Sequence, residues 1–163
     1  MTASDRKSPV LQCPSAPPTD PGAVVFGIVT GAPESPRIGY LTEAQPVTES
    51  LLALAGQARP DQVFRTAAPC MGNGCKHFDG SDCRLAQRIT AFLDPVVSGL
   101  PACDIRPTCR WFRQEGKAAC LRCPQVVTAT CTTDERERWI ADPDNVAAAQ
   151  EIPEKPENHA PAP

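Results

Sequence analysis

Residues 69–83 concentrate side chains that commonly bind metals. The stretch contains three cysteines, one histidine and three glycines, in the order PCMGNGCKHFDGSDC. Glycine adopts positive φ and lets the backbone approach an inorganic core, so that backbone N–H groups can hydrogen-bond to sulfur. The residue types and the glycine placement therefore favour a loop that wraps an iron-sulfur cluster through Cys70, Cys75 and Cys83.

Four more cysteines follow this loop, and the last two form a C-x-x-C pair. They are Cys103, Cys109, Cys120 and Cys123. Proline follows Cys123, as it follows the closing ligand of bacterial ferredoxin motifs, and proline also follows Cys13. We predict that Cys70, Cys75 and Cys83 take a fourth ligand from this later group. The remaining cysteines, with Cys13, would form a second site or a redox-active reserve.

Other uses of the cysteines stay open at this point. Structural zinc also takes four thiolates, although C-x4-C-x7-C departs from the paired C-x2-4-C spacing typical of zinc sites. Disulfides are disfavoured in a reducing compartment. The C-x-x-C pair alone resembles a redox dithiol, but no predicted strand precedes it as a thioredoxin unit requires. The sequence favours an iron-sulfur cluster, of the [4Fe-4S] type, with zinc as the alternative.

Charge around the cysteines supports an anionic centre. Residues 70–123 carry eight Lys and Arg against five Asp and Glu, whereas residues 132–163 carry three against eight. A cationic surround offsets the charge of thiolate-ligated metal. The same basic surface fits an acidic redox or cluster-transfer partner. Nucleic acid is an unlikely partner, because the overall charge is -3 and the chain has only two Trp and one Tyr.

Composition indicates a small domain with a modest apolar core. Of 163 residues, nine are cysteine, 19 are proline and 5% are aromatic. Such a core gains from a metal staple. The N-terminus lacks the apolar segment of a secretory signal, and no stretch reaches the ~18 apolar residues that span a bilayer. We therefore expect a cytoplasmic protein without membrane contact, in a compartment that keeps thiols reduced.

Patterning predicts a small α+β fold. AVVFGIVTG and PRIGYL, joined by the turn-rich APES, favour a short β-hairpin. QPVTESLLALAG, with Pro46 in its first turn, and SDCRLAQRITAFLDP, capped by Ser81 or Asp82, favour helices. Residues 100–128 favour two short helices separated by Gly116. A last helix over RERWI follows a capping box of Thr132 and Glu135. These helices are expected to pack around the cysteine site.

The composition of the N- and C-terminal segments predicts disorder, because both mix proline with charge and lack a periodic pattern of apolar residues. We therefore expect a disordered arm over residues 1–22, one metal-binding domain over 23–141 and a disordered tail over 142–163. Trp111 and Phe112 are expected to be core residues that shield the site. His77 is expected to be a hydrogen-bonding or surface residue and not a ligand.

Three blocks of this chain resemble a family of small bacterial cysteine-rich proteins, some of which carry the label "nitrogen fixation protein". The blocks are CMGNGCKHFDGSDCRLAQRI, LPACDIRPTCRWFRQEGKAACLRCPQVVT and the upstream VVFGIV. The resemblance runs from about Cys13 to Thr130, and Cys131 lies outside it. It implies a cytoplasmic bacterial protein in a setting with much iron-sulfur traffic, and it transfers no catalytic residue.

Two classes of function follow from the sequence. The first is an iron-sulfur protein for electron transfer or redox sensing, and the alternative is a zinc-stapled interaction module. An enzyme is the least supported class. The sequence has no Ser-His-Asp set, no phosphate-binding glycine loop followed by lysine, and only two histidines, of which His159 lies in the tail.

Overall fold

The computed structural model describes residues 8–129 and 134–145. These residues form one four-stranded antiparallel sheet and six short helices, which confirms the α+β prediction. The strands are β1 (Gln12–Cys13), β2 (Val24–Thr30), β3 (Arg37–Pro46) and β4 (Phe64–Pro69). Their order across the sheet is β1-β4-β2-β3, so β4 and β2 lie in the middle.

The predicted hairpin is confirmed, since β2 and β3 pair antiparallel and place Val29 opposite Ile38. β2 also pairs with β4, where Gly27 lies opposite Arg65. The register shifts between Val25 and Gly27, so Phe26 stands in a bulge. Phe26 is only 1% exposed and packs with Ala67 of β4. The bulge therefore turns a large aromatic side chain into the interior beside the later cysteines.

The sequence prediction missed β4. Five of its six residues are buried, including Arg65, Thr66 and two alanines. A strand buried on both faces does not alternate between apolar and polar residues, and alanine and arginine have little strand preference. No periodic signal marked this segment, although it is a central strand of the sheet.

The arm prediction was wrong for residues 8–22. β1 pairs with β4, so that Gln12 lies opposite Pro69 and Cys13 lies opposite Ala68. Pro14 and Ala16 are buried, and the Ala16 carbonyl accepts a 2.6 Å hydrogen bond from the Thr66 hydroxyl. The prolines here shape a turn-rich segment that docks on the sheet, and the folded unit begins before residue 23. Residues 1–7 and 146–163 lie outside the described residues.

The first three helices are α1 (Glu49–Ala53), α2 (Pro60–Val63) and α3 (Arg84–Phe92). Helix α1 was predicted, but it begins after its Thr48 cap, because Pro46 belongs to β3. Helix α3 was also predicted, and its N-cap is Cys83, not Ser81 or Asp82. Asp79 forms a turn there instead, since its Oδ1 accepts from the Ser81 and Asp82 amides at 2.9 and 2.7 Å.

The last three helices are α4 (Arg110–Glu115), α5 (Lys117–Arg122) and α6 (Glu135–Ala141). Gly116, with φ 63°, separates α4 from α5 as predicted. Helix α6 was predicted as well, although its cap is the Asp134 side chain, which accepts from two backbone amides. Thr132, the expected cap, lies outside the described residues.

The core has a helical part and a sheet part. The helical part centres on Trp111, which is 1% exposed, with Ile89, Ala119 and Ile140, and it contains the buried Cys83 and Cys109. Phe112 packs against it, so the prediction that Trp111 and Phe112 are core residues is confirmed. Among the described residues, no helix has both the length and the apolar character needed to cross a bilayer.

Candidate metal centres

Four cysteines from distant parts of the chain line one cleft of about 990 Å³. Cys13 ends β1, Cys70 directly follows β4, Cys75 follows the 3-10 turn Gly72–Gly74, and Cys83 begins α3. The pKa of the Cys13 thiol is raised to about 12, mainly by burial and to a smaller extent by nearby Cys83, Cys70 and Cys75. We call these four residues the first quartet.

The backbone of the glycine loop has the conformation that its composition predicts. Gly72 and Gly80 have φ of 52° and 101°, values that side chains other than glycine rarely adopt. The loop is joined to the arm, because the Cys70 amide donates to the Leu11 carbonyl at 2.8 Å. It is joined to α3 where the Arg84 amide donates to the His77 carbonyl at 2.7 Å. The loop is thus tied down at both ends.

Cys83 is held by its position at the start of α3. No conventional side-chain cap hydrogen bond forms there, but the backbone amides of Ala86 and Leu85 lower the pKa of its thiol. Burial is the larger effect, and the pKa is raised overall. The Gln114 side chain of α4 makes two hydrogen bonds to the Cys83 backbone. Its Oε1 accepts from the Cys83 amide at 2.8 Å, and its Nε2 donates to the Cys83 carbonyl at 3.0 Å.

The other four described cysteines line a second, apolar cavity of about 20 Å³. Cys103 lies in the loop before α4, Cys109 begins α4, Cys120 lies in α5 and Cys123 ends α5. The pKa of Cys103 is raised by burial and then by the nearby Cys123. The pKa of Cys109 is raised to about 12, mainly by burial and to a smaller extent by Cys123 and Cys103. We call these four the second quartet.

Polar groups surround the second quartet. The Tyr40 hydroxyl hydrogen-bonds with Cys123, and burial of the phenol raises its pKa. Arg106 hydrogen-bonds with Cys120 and lowers the pKa of that thiol, against a larger rise from burial. The backbone amides of Phe112 and Trp111 lower the pKa of Cys109. Sulfur atoms in this cavity therefore meet hydrogen-bond donors on several sides.

The two quartets are neighbours in space. Gln12, which precedes Cys13, forms a bridge with Cys109 of the second quartet. Helix α4 serves both, because it begins at Cys109 and carries Gln114, which holds Cys83. Arg110 of the same helix lies 4.9 Å from the ring of Phe78, which lines the first cleft. Helix α4 and the Gln12–Cys109 bridge therefore connect the two quartets structurally.

The structure groups the predicted cysteines differently from the sequence prediction. Cys13, and not a member of the later group, lies beside Cys70, Cys75 and Cys83. The later cysteines form a set of their own around the second cavity. Cys131 lies outside the described residues. Within residues 8–129 and 134–145, no group of three or more His, Cys, Asp or Glu side chains is already arranged to hold a metal ion.

His77 makes the kind of contact that the sequence predicted. Its Nδ1 lies 3.1 Å from Nη2 of Arg88, a buried arginine that also donates to the Ile140 carbonyl at 2.7 Å. Burial lowers the pKa of His77, and the Arg88 charge lowers it further. The imidazole thus connects the glycine loop with α3.

Sequence reasoning missed three residues at the sites, namely Tyr40, Arg65 and Gln114. Each comes from an element far along the chain from the cysteine that it contacts. A polar residue inside a strand or on a helix gives no signal of its own when its partner is remote. Arg65, for example, lies on β4, a strand that was not predicted, and contacts Cys123, which is 58 residues away in the chain.

Comparison of this chain with protein-family models, curated proteins and solved structures finds no match.

Proposed function

We propose that this protein binds two iron-sulfur clusters, one at each quartet, and serves as a small electron carrier or redox sensor. One observation carries the proposal: the eight described cysteines divide into two sets of four, each lining its own cavity. Four cysteine thiolates are the usual ligand set of [2Fe-2S] and [4Fe-4S] clusters, and we favour the [4Fe-4S] type. Each set supplies this number without a ligand from the other.

The surroundings fit such a group in their chemistry. The Trp111 indole N–H is buried next to the second quartet and has no hydrogen-bond partner among the described residues, and the same holds for Nε of Arg106. These donors are therefore available to an acceptor bound in or beside this cavity. Sulfur at a thiolate-ligated centre is such an acceptor, and the arginines offset its negative charge.

When bound, clusters of this kind exchange single electrons. The residues of this chain hold the two quartets side by side through Gln12, Gln114 and Arg110. Trp111 and Phe26 keep the second quartet in an apolar environment, which excludes water from it. Two adjacent sites of four cysteines suit a carrier that passes single electrons between two centres.

The proposed setting is the bacterial cytoplasm, with an acidic protein as the redox or cluster-transfer partner. The resemblance to the family with the nitrogen-fixation label supports a setting rich in iron-sulfur proteins. The excess of Lys and Arg over residues 70–123 supports an acidic partner.

Structural zinc is the second candidate, and the size of the second cavity favours it. A space of about 20 Å³ admits little more than one water molecule. A single ion therefore fits there with less movement than a cluster, which requires the walls around Cys103 and Cys120 to move outward. In this alternative the protein is a zinc-stapled interaction module, and redox state has no effect on it.

The deciding experiment is purification with and without air, followed by assays of iron, sulfide and zinc. We expect about eight iron and eight sulfide per chain from two [4Fe-4S] clusters after anaerobic purification, with a visible absorbance change on addition of dithionite. Stoichiometric zinc without iron under both conditions would contradict the proposal and support the second candidate. One cluster with one zinc would restrict electron transfer to one quartet.

A further inference from the structure

A fully buried arginine lies between the two quartets. Arg65 is 0% exposed and stands on the central strand β4. Its Nη1 donates to the Cys123 carbonyl at 3.0 Å and to the Val126 carbonyl. Its Nη2 donates to the Pro14 carbonyl at 2.7 Å and lies 3.6 Å from the Cys123 sulfur. One guanidinium group thus contacts Cys123 of the second quartet and Pro14, the residue after Cys13 of the first quartet.

This guanidinium has no carboxylate partner among the described residues. The ion pair in the described part of the chain joins Arg59 to Asp61 and does not involve Arg65. Arg65 faces neutral carbonyl groups and the Phe26 ring, whose centre lies 5.4 Å away, and its Nε has no hydrogen-bond partner in the described part of the chain. A buried charge without a counterion is unfavourable, so native proteins pair such charges. The Cys123 sulfur, 3.6 Å from Nη2, is a group that can carry negative charge here.

We propose that Arg65 is the counter-cation of the metal centre at the second quartet, and that the same guanidinium couples this centre to the Cys13 segment. The inference rests on the proposed function, since it takes the second quartet to hold a metal. A thiolate-ligated metal centre carries net negative charge in the interior, and the guanidinium neutralises part of it. Arg65 also fixes the Cys123 backbone and thereby orients that ligand.

Two substitutions separate charge from hydrogen-bonding geometry. Arg65→Met removes both the charge and the hydrogen-bond donors. Arg65→Lys keeps the charge but loses the planar guanidinium, whose two terminal nitrogens bind the Cys123 and Pro14 carbonyls. Thr66→Val is the matched control. Thr66 is the next residue on β4, equally buried, and ties Ala16 of the arm through one neutral hydrogen bond of 2.6 Å.

The test measures Zn²⁺ affinity by competition with a chelator, because zinc reports on four-thiolate sites whichever metal is native. All proteins carry Cys75→Ser, so that only the second quartet is complete. We expect Arg65→Met to weaken Zn²⁺ binding about 10- to 100-fold, the range found when partners of metal ligands are removed. Arg65→Lys should weaken Zn²⁺ binding less. Thr66→Val should bind Zn²⁺ with the same affinity as the protein that carries only Cys75→Ser.

Two results would overturn the inference. One is unchanged Zn²⁺ affinity in Arg65→Met, and the other is equal weakening in Arg65→Met and Thr66→Val, which would show that Arg65 only ties the arm. Iron and sulfide in the unsubstituted chain test the proposed function separately. If that chain binds clusters, Arg65→Met should also shift the potential of the second site to more negative values, since a nearby cation stabilises the reduced state.

Discussion

At the scale of single residues, the arrangement assigns each cysteine to one site. Cys13 belongs with the glycine loop and Cys120 with the later helices, although neither assignment follows from sequence spacing. The two sites also differ in size, because the first quartet lines a cleft of about 990 Å³ and the second an apolar cavity of about 20 Å³. Substitutions in the two sets should therefore have separable effects.

Serine at one member of each quartet should remove one metal centre and leave the other. We expect Cys13→Ser to reduce bound metal by about half, through loss of the first site. Cys120→Ser should also reduce it by about half, through loss of the second site. Metal analysis with visible spectroscopy checks this. Cys131→Ser is the control and should keep all metal. Full retention in Cys13→Ser would show that the arm cysteine is not a ligand.

The buried thiols also predict a response of the metal-free chain to alkaline pH. Burial raises the pKa of Cys13 and of Cys109 from the usual 9.0 to about 12. Their contribution to stability is therefore complete below pH 9 and declines as pH rises toward 12. We expect a loss of roughly 1 kcal/mol per pH unit for each thiol above pH 9. Urea unfolding between pH 7 and 10.5 measures it, and a flat profile would contradict the assigned burial.

At the scale of elements, the sequence predicted the hairpin and five of the six described helices, because these have local signals such as apolar period, caps and glycine breaks. It missed β1 and β4, whose pairing depends on residues far apart in the chain. The error in ligand grouping has the same cause. Cys13 reaches the glycine loop only through the pairing of β1 with β4, so spacing between cysteines could not place it there.

Docking of the arm gives a prediction from two truncations. Deleting residues 1–8 should leave metal content and the melting temperature nearly unchanged, because this deletion keeps Leu11 and β1, which hydrogen-bond to Cys70 and pair with β4. Deleting residues 1–16 removes Cys13 and the partners of Arg65 and Thr66, and should cost the first metal centre and several degrees. Thermal melting followed by circular dichroism compares them. Equal behaviour of the two would mean that the arm does not dock.

Helix α4 gives a second prediction at this scale. Gln114→Ala removes both side-chain hydrogen bonds to the Cys83 backbone. The Cys83 carbonyl still accepts from the Gln87 amide, but the partly buried Cys83 amide loses its acceptor, which costs about 1–3 kcal/mol. The first centre should lose metal to a chelator faster, with the second less affected. Gln87→Ala, on the exposed side of α3, is the control. Equal rates of loss in the two variants would show that α4 does not support Cys83.

At the scale of the whole molecule, the metal centres and the fold support each other. The helical core includes Cys83 and Cys109, and the sheet core lies against Cys103 and Cys13. Aromatic residues are few, so apolar burial alone gives this chain limited stability. The quartets lie at the places where the helices meet the sheet.

Removing the metal should therefore destabilise the entire domain. We expect the melting temperature of the metal-free chain to fall by more than about 10 °C relative to the loaded protein, because binding energy adds to folding energy when the unfolded chain has no formed site. Calorimetry before and after anaerobic chelation provides the comparison, and readdition of metal should restore the transition. An unchanged transition would mean that the quartets contribute nothing to folding.

The distance between the ligands along the chain predicts which metal site fills first. The first quartet extends from Cys13 to Cys83 and needs Gln114 of α4, whereas the second extends only from Cys103 to Cys123. Closing a long loop costs more entropy and is slower than closing a short one. When metal is scarce we expect the second site to fill first, and titration of metal-free chain that filled the first site earlier would contradict this order.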